Sequence, residues 1–269
     1  MPLDSTPPFS FLPGDSPLLI SIPHVGTDLP PGMAETLTAE ARPLPDTDWH
    51  LTRLYDFAPA LGANVLAARY SRFAIDLNRP PDDAPLYATA TTGLYPETLF
   101  DGTPVFRPGG TPTKSDRAAF LAEIWRPYHE RLITELARIK ARFGYAVLFD
   151  AHSIRGFIPR LFEGELPDFN IGTNEGRSAA ASLTDRLAAA CDAPGYRHVV
   201  NGRFKGGYIT RNYGDPAGRI HAVQLELAQR TYMRETLPFD YIEAAAVKVQ
   251  PVLRRFIETL IGWRPDLSR

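Results

Sequence analysis

Short segments of this 269-residue chain set histidines and carboxylates where chemistry is commonly done in α/β proteins. In Ser21-Ile22-Pro23-His24-Val25-Gly26, a histidine stands directly after an apolar run and before a glycine. That is the C-terminal end of a strand, and in open α/β sheets such ends line the ligand crevice. The strand-like Ala146-Val147-Leu148-Phe149-Asp150, followed by His152, repeats the placement, with Asp150 and His152 on one face of an extended chain. Two histidines at two strand ends, with a carboxylate near one, suit a zinc site of mixed ligands that keeps a position open for water. Asp150 is either a ligand or the partner that orients a histidine. The plainer alternatives are a turn-capping His24 and an Asp150-His152 pair bonded to loop backbone.

Two further carboxylates, Asp46 and Asp48, fall in Pro45-Asp46-Thr47-Asp48-Trp49-His50, where a helix is expected to begin. Acidic residues are favoured there by capping and the helix dipole, so each reads equally as cap or as ligand. His50 reads as a helix-surface residue. In His221-Ala222-Val223-Gln224-Leu225-Glu226-Leu227, alternation puts Ala222, Gln224 and Glu226 on one face. A glutamate inside such a strand is costly unless paired or used. Beside a water acidified by zinc it suits a general base, and in solvent it is simply an edge-strand residue. Two arginine-bearing stretches, Ser71 to Arg79 and Asn201 to Arg211, supply the planar forks that a dicarboxylate would require, one at each end. Most single arginines only solubilise a surface.

The elements that must position these residues follow from periodicity. Strands are expected at Leu18–Ile22, Asn64–Ala68, Ala74–Leu77, Ala146–Asp150, His198–Val200 and His221–Leu227. Helices are expected at Asp48–Leu61, Lys114–Phe143, Gly176–Cys191 and Tyr241–Gly262, with Gly62, Gly144 and Gly262 as C-terminal caps. Their alternation indicates an α/β fold. Residues 78–113, rich in Pro, Gly, Thr and Asp, carry Leu86, Tyr87, Leu94, Tyr95, Phe100 and Phe106 and are expected to form an ordered, substrate-covering loop.

A formal charge of -2, from 29 basic and 31 acidic residues, gives no electrostatic reason for a nucleic-acid or membrane partner. One cysteine, Cys191, excludes an internal disulfide or a cysteine-rich zinc site. The first residues lack a signal-peptide pattern, so a cytoplasmic protein of one domain, residues 1–269 with an extension at 1–17, is expected. No GxSxG, GxxxxGK or GxGxxG is present, which removes support for serine-hydrolase, P-loop and dinucleotide chemistry. Metal-assisted hydrolysis survives.

From about Leu18 to the C-terminus, the blocks SIPHVG, DTDWHLTRLYDFAPALGA, SRFAIDLNRPPD, TGLYPETLFDGTPVF, FDAHSIRGFIPRLFEGELPDFNIGTN, NGRFKGGYITRNYG and HAVQLELAQRTYM resemble the N-formylglutamate deformylase (N-formylglutamate amidohydrolase) family of histidine catabolism. The resemblance implies hydrolysis of N-formyl-L-glutamate to formate and L-glutamate. It also implies a zinc-exopeptidase-like α/β domain (phosphorylase/hydrolase-like) with a mixed central sheet flanked by helices, because the family is similar to zinc carboxypeptidases. Carried over by position, His24 and His152 become ligands of one zinc ion and Glu226 the general base. Arg72 becomes the carbonyl-polarising group, and Asn78-Arg79 the pair that holds a substrate carboxylate, with Arg211 taking the other. The carboxypeptidase HxxE is absent, because Thr27 stands where its glutamate would be. Asp48 is therefore expected as the third ligand, in preference to Asp46. Manganese, cobalt or iron suit the same donors. The alternatives are an amidohydrolase for another N-acyl amino acid, such as N-formylaspartate, and a non-catalytic, metal-dependent binder of acidic metabolites.

Overall fold

The computed structural model describes residues 6–85 and 92–266. Strands β1 (Phe9–Leu12), β2 (Leu18–Ile22), β3 (Asn64–Ala68), β4 (Ala146–Ile154), β5 (Phe169–Gly172), β6 (His198–Val200) and β7 (Ile220–Ala228) form one sheet in the order β1-β3-β2-β4-β7-β5-β6. The central strands β3, β2, β4 and β7 are parallel, while β1 runs antiparallel to β3 and β5 to β7. Around them lie α1 (Met33–Thr36), α2 (Leu51–Leu54), α3 (Lys114–Phe120), α4 (Arg126–Phe143), α5 (Ala181–Cys191), α6 (Tyr208–Tyr213) and α7 (Glu243–Gly262). The chain is thus a single α/β domain with a mixed seven-stranded sheet flanked by helices.

The apolar alternation of the strands decides which helices cover which face. Ile20, Phe149 and Leu225 point into a core shared with α2, α5 and α7, while Leu19, Leu148 and Ala222 point into one shared with α3 and α4. On this second face the side chains turn polar toward the strand ends: Leu148 is followed by Asp150 and His152, and Ala222 by Gln224 and Glu226. The parallel register sets Asp150 beside Gln224 and His152 beside Glu226. The chain leaves β2 for β3 on one side and returns through β4 on the other. The crevice beyond the C-terminal ends of β2 and β4 is therefore the switch point at which such sheets bind ligands.

Several expected elements differ. Ala74–Leu77 is turn and irregular chain, not strand. Its Ala74 N–H bonds Ser71 O, and its Asp76 N–H bonds Leu94 O in the loop. The helix expected over Asp48–Leu61 shrinks to α2 and a short 3-10 turn at Pro59–Leu61. His50 takes a left-handed φ of 64° just ahead of it, and Pro59 cannot continue a helical hydrogen-bond ladder. The long helix over Lys114–Phe143 forms, but a wide π-type turn at Leu121–Trp125 interrupts it. β4 runs on to Ile154, so His152 lies within a strand and not beyond its end. The four-residue strands β1 and β5 were not anticipated, nor was the six-residue α6. In the long loop, Leu94, Phe100 and Phe106 are buried, whereas Leu86 and Tyr87 lie outside the described residues. Among the described residues, no helix is long and apolar enough to cross a membrane.

Candidate metal centre and substrate cavity

His24, Asp48 and His152 meet at the switch point with one donor atom each, all within 4.8 Å of one another, and all three residues are buried. β2 delivers His24 two residues past its end, and β4 delivers His152 from its face. Asp48 is tied between them, its N–H bonding His24 O and its Oδ2 accepting the Ser153 N–H. Asp48 Oδ2 lies 3.1 Å from His152 Nδ1 and 3.8 Å from His24 Nδ1. Two ligands of a tetrahedral zinc ion at its usual bond lengths are roughly 3.3 Å apart, between these two separations.

The opposite ring nitrogens fit the same reading. His24 Nε2 lies 2.7 Å from Asp76 Oδ1, and His152 Nε2 lies 3.0 Å from Asp150 Oδ2. Asp76 can take the Nε2–H of His24, which turns its Nδ1 toward the shared position as behind metal-bound imidazoles, while His152 Nε2 is shared between Asp150 and the Asn78 amide nitrogen, 2.9 Å away. Burial and the neighbouring Arg72 lower the pKa of His24, against the pull of Asp76, which favours the neutral ring. At His152, Asp150 and Asp48 outweigh the effect of burial and hold the imidazole well above its ordinary value. Two buried carboxylates converging on one imidazole are an arrangement that calls for positive charge, which a proton or a cation supplies. The donor set therefore fits a divalent metal.

Asp76 is the residue that sequence reasoning missed. It sits in Ala74–Leu77, which reads as a strand, yet it joins His24 to Arg72, whose Nη2 donates to its second oxygen at 2.6 Å. Arg72 and His24 outweigh burial and hold the Asp76 carboxyl well below the usual range. Its spacing of four from Arg72 was the available signal. Asn78 bridges the group: its Nδ2 donates to Asp150 Oδ2 at 3.2 Å and its Oδ1 accepts the Ile209 N–H of α6. Gly207 permits that approach, since a side chain there would collide with the Asn78 amide. Asp150 thus stands behind His152, and Asp46 lies apart, holding the Phe100 N–H and Arg155. Burial pushes the Asp46 carboxyl up to about 6.

A cavity opens over the metal-binding donors. It is lined by Arg72, Arg79 and Glu226 with both histidines, and by Phe100, Leu161, Arg203 and Phe204. Glu226 Oε2 accepts from Gln224 Nε2 at 3.2 Å, and Gln224 is held in turn by the Gly207 N–H. Burial pushes the Glu226 carboxyl up to about 8, against the opposing charge of His152. Arg79 donates to Thr92 O, Thr92 Oγ1 and Asn78 O. Arg211 does not line this cavity, and its Nε donates to Gly206 O. His50 bonds Phe239 O and is not part of the site.

Comparison with known proteins gives a consistent result. The family model described as N-formylglutamate amidohydrolase matches residues 16–233. The chain is 59% identical to the N-formylglutamate deformylase of Pseudomonas aeruginosa over 255 residues, covering 94% of this chain and 96% of that one. It is equally similar, at 59% and with the same coverage, to the enzyme of that name from Pseudomonas putida. Its fold is similar to the crystal structure of N-formylglutamate amidohydrolase from Ralstonia eutropha JMP134, with a TM-score of 0.80 at 26% identity over 96% of this chain and 97% of the other. With the model and both curated relatives agreeing over most of its length, the chain belongs to the N-formylglutamate amidohydrolase family.

Proposed function

We propose that this protein hydrolyses N-formyl-L-glutamate to formate and L-glutamate in histidine degradation in the cytoplasm, using one divalent ion, zinc by preference, held by His24, Asp48 and His152. The observation that carries the reading is the buried three-donor cluster opening into a cavity that Glu226 and three arginines line. The substrate named for both curated relatives supports the choice of acyl group and amino acid. When bound, such an ion supplies a Lewis acid and lowers the pKa of water at its open position.

The protein's own groups account for the remaining steps. Glu226 takes a proton from the attacking water as its oxygen bonds to the formyl carbon. Arg72, braced by Asp76, places positive charge in the cavity wall for the developing oxyanion. Glu226 then returns the proton to the amide nitrogen as the C–N bond breaks, releasing formate and the amine of glutamate. A carboxyl pushed up by burial is poised for this exchange, because cationic charge at the neighbouring donors draws its pKa back toward neutrality. Arg79, fixed by its bonds to residues 78 and 92, takes one substrate carboxylate. Arg203 takes the second in place of Arg211, since it is Arg203 that lines the cavity. Asn78 acts by orienting Asp150 and α6.

Formate release from N-formyl-L-glutamate by the purified protein, before and after chelation and zinc restoration, tests this reading, with N-formyl-L-aspartate and N-acetyl-L-glutamate alongside. Metal-dependent turnover selective for N-formyl-L-glutamate is expected. No turnover of any of the three by folded, metal-loaded protein overturns it.

A further inference from the structure

Residues 76–79 carry Asp76, Asn78 and Arg79, yet they form a turn with no strand to fix them. Two side chains from the far side of the second core hold this turn by its carbonyls. His129 Nε2 lies 2.9 Å from Leu77 O, and Trp125 Nε1 donates to Arg79 O at 3.0 Å. A carbonyl only accepts, so His129 carries its proton on Nε2, and its Nδ1 accepts from the Tyr213 hydroxyl at 2.7 Å. Burial pushes this imidazole down to about 3, which keeps it neutral. The Trp125 ring stacks on it at 3.7 Å and 22°, and the Tyr213 ring also lies near parallel, at 5.8 Å and 21°.

The sequence accounts for the presence of these two residues at this place. Pro127 has no N–H for the carbonyl of Glu123 and its ring crowds that oxygen, so a regular helix cannot run through. The chain responds with the wide turn Leu121–Trp125, closed by the Arg126 N–H reaching back to Leu121 O. Such turns re-aim the side chains at their exit and recur at functional sites. Trp125 ends the turn, and His129 follows one helical turn later on the same side.

We propose that Trp125 and His129 are positioning residues that clamp the backbone of residues 77–79, so that Asp76 meets His24, Asn78 meets Asp150, and Arg79 faces the substrate. The inference rests on the roles given above to Asp76, Asn78 and Arg79. Ordinary core packing would ask only for ring volume, whereas the clamp requires the two donated hydrogen bonds.

The test compares Trp125→Phe, His129→Gln and His129→Leu. Trp125→Phe keeps an aromatic ring but removes the donor to Arg79 O. It is expected to raise KM for N-formyl-L-glutamate about tenfold, with kcat and zinc affinity little changed. His129→Leu frees Leu77, between Asp76 and Asn78, and is expected to weaken zinc about tenfold or more in a competition with a chromophoric chelator. His129→Gln, which retains an N–H donor, is expected to recover most of that loss. The proposal is overturned if Trp125→Phe leaves KM unchanged, or if folded His129→Gln and His129→Leu bind zinc alike. Should His129→Leu fail to fold, wild-type zinc affinity in His129→Gln together with the KM shift in Trp125→Phe supports the clamp, and absence of that shift overturns it. If the wild-type protein binds zinc but releases no formate, the functional reading fails, while the zinc comparison still decides the clamp.

Discussion

His24 and His152 stand side by side with opposite electrostatic preferences, and the difference lies in their carboxylates. His24 shares Asp76 with Arg72, so the negative charge facing it is already offset. His152 faces Asp150 on one nitrogen and Asp48 on the other, so it draws in a proton wherever no cation takes its place. Glu226 is the residue in this group whose carboxylate has no part in holding a histidine, which is why it is assigned the proton transfers. Glu226→Gln should therefore retain the metal and lose about 10²-fold or more in turnover, read as formate release beside zinc content. Undiminished turnover in a metal-replete variant removes Glu226 from the chemistry. In the proposed reading, specificity rests with Arg203, which lines the cavity. Its replacement by Gln should lower kcat/KM for N-formyl-L-glutamate by about one to two orders of magnitude, the size of a lost charge-assisted contact, and spare N-formyl-L-methionine. Equal losses on both substrates would assign Arg203 to structure instead.

Legibility follows the elements' own physics. β4 and β7 were readable because their apolar faces are continuous, and the same alternation that packs Leu148 and Ala222 under the helices sends His152 and Glu226 into the crevice. Asp76 escaped because Ala74–Leu77 alternates like a strand, while its true constraint, the bond from its N–H to Leu94 O, comes from a loop distant in sequence. Spacing picks out the stretch Asn201–Arg211 but cannot say which of its arginines turns inward, and the structure brings Arg203 to the cavity. The wide turn in the long helix was written in Pro127, and its consequence for residues 77–79 appears only once the helix is docked. The start of α6 is equally dependent on packing. Gly207, at its N-terminal boundary, lies against the Asn78 amide and its N–H holds Gln224. Gly207→Ala should push α6 from the site and cost about 1–3 kcal/mol in denaturant unfolding, with a loss of activity. A variant as stable and active as the wild type would show that α6 can shift without disturbing Asn78.

Across the whole molecule, the buried site ties folding to pH in a way that metal should reverse. His24, His129 and His221, all lowered on folding, are still partly protonated in the unfolded chain near pH 6.5, so they oppose the decline by a small amount that fades by pH 8. Asp46, held up to about 6, is largely ionised in both states by then. Glu226 and His152 remain, both raised on folding, so the metal-free folded protein holds more protons than the unfolded chain. Their stabilisation is complete below the unfolded values of about 4.5 and 6.5 and is lost as pH rises through the folded ones. Between pH 6.5 and 8 the metal-free protein should therefore lose stability, and Glu226→Gln should flatten the decline. Zinc held at this site would replace the proton on His152 and oppose the burial of charge on Glu226, so its stabilisation should grow over the same interval. Urea unfolding at pH 6.5 and 8, with chelator and with zinc, measures both slopes. Metal-free stability that rises across this interval, or an unchanged slope in Glu226→Gln, would mean that the folded site does not hold these protons.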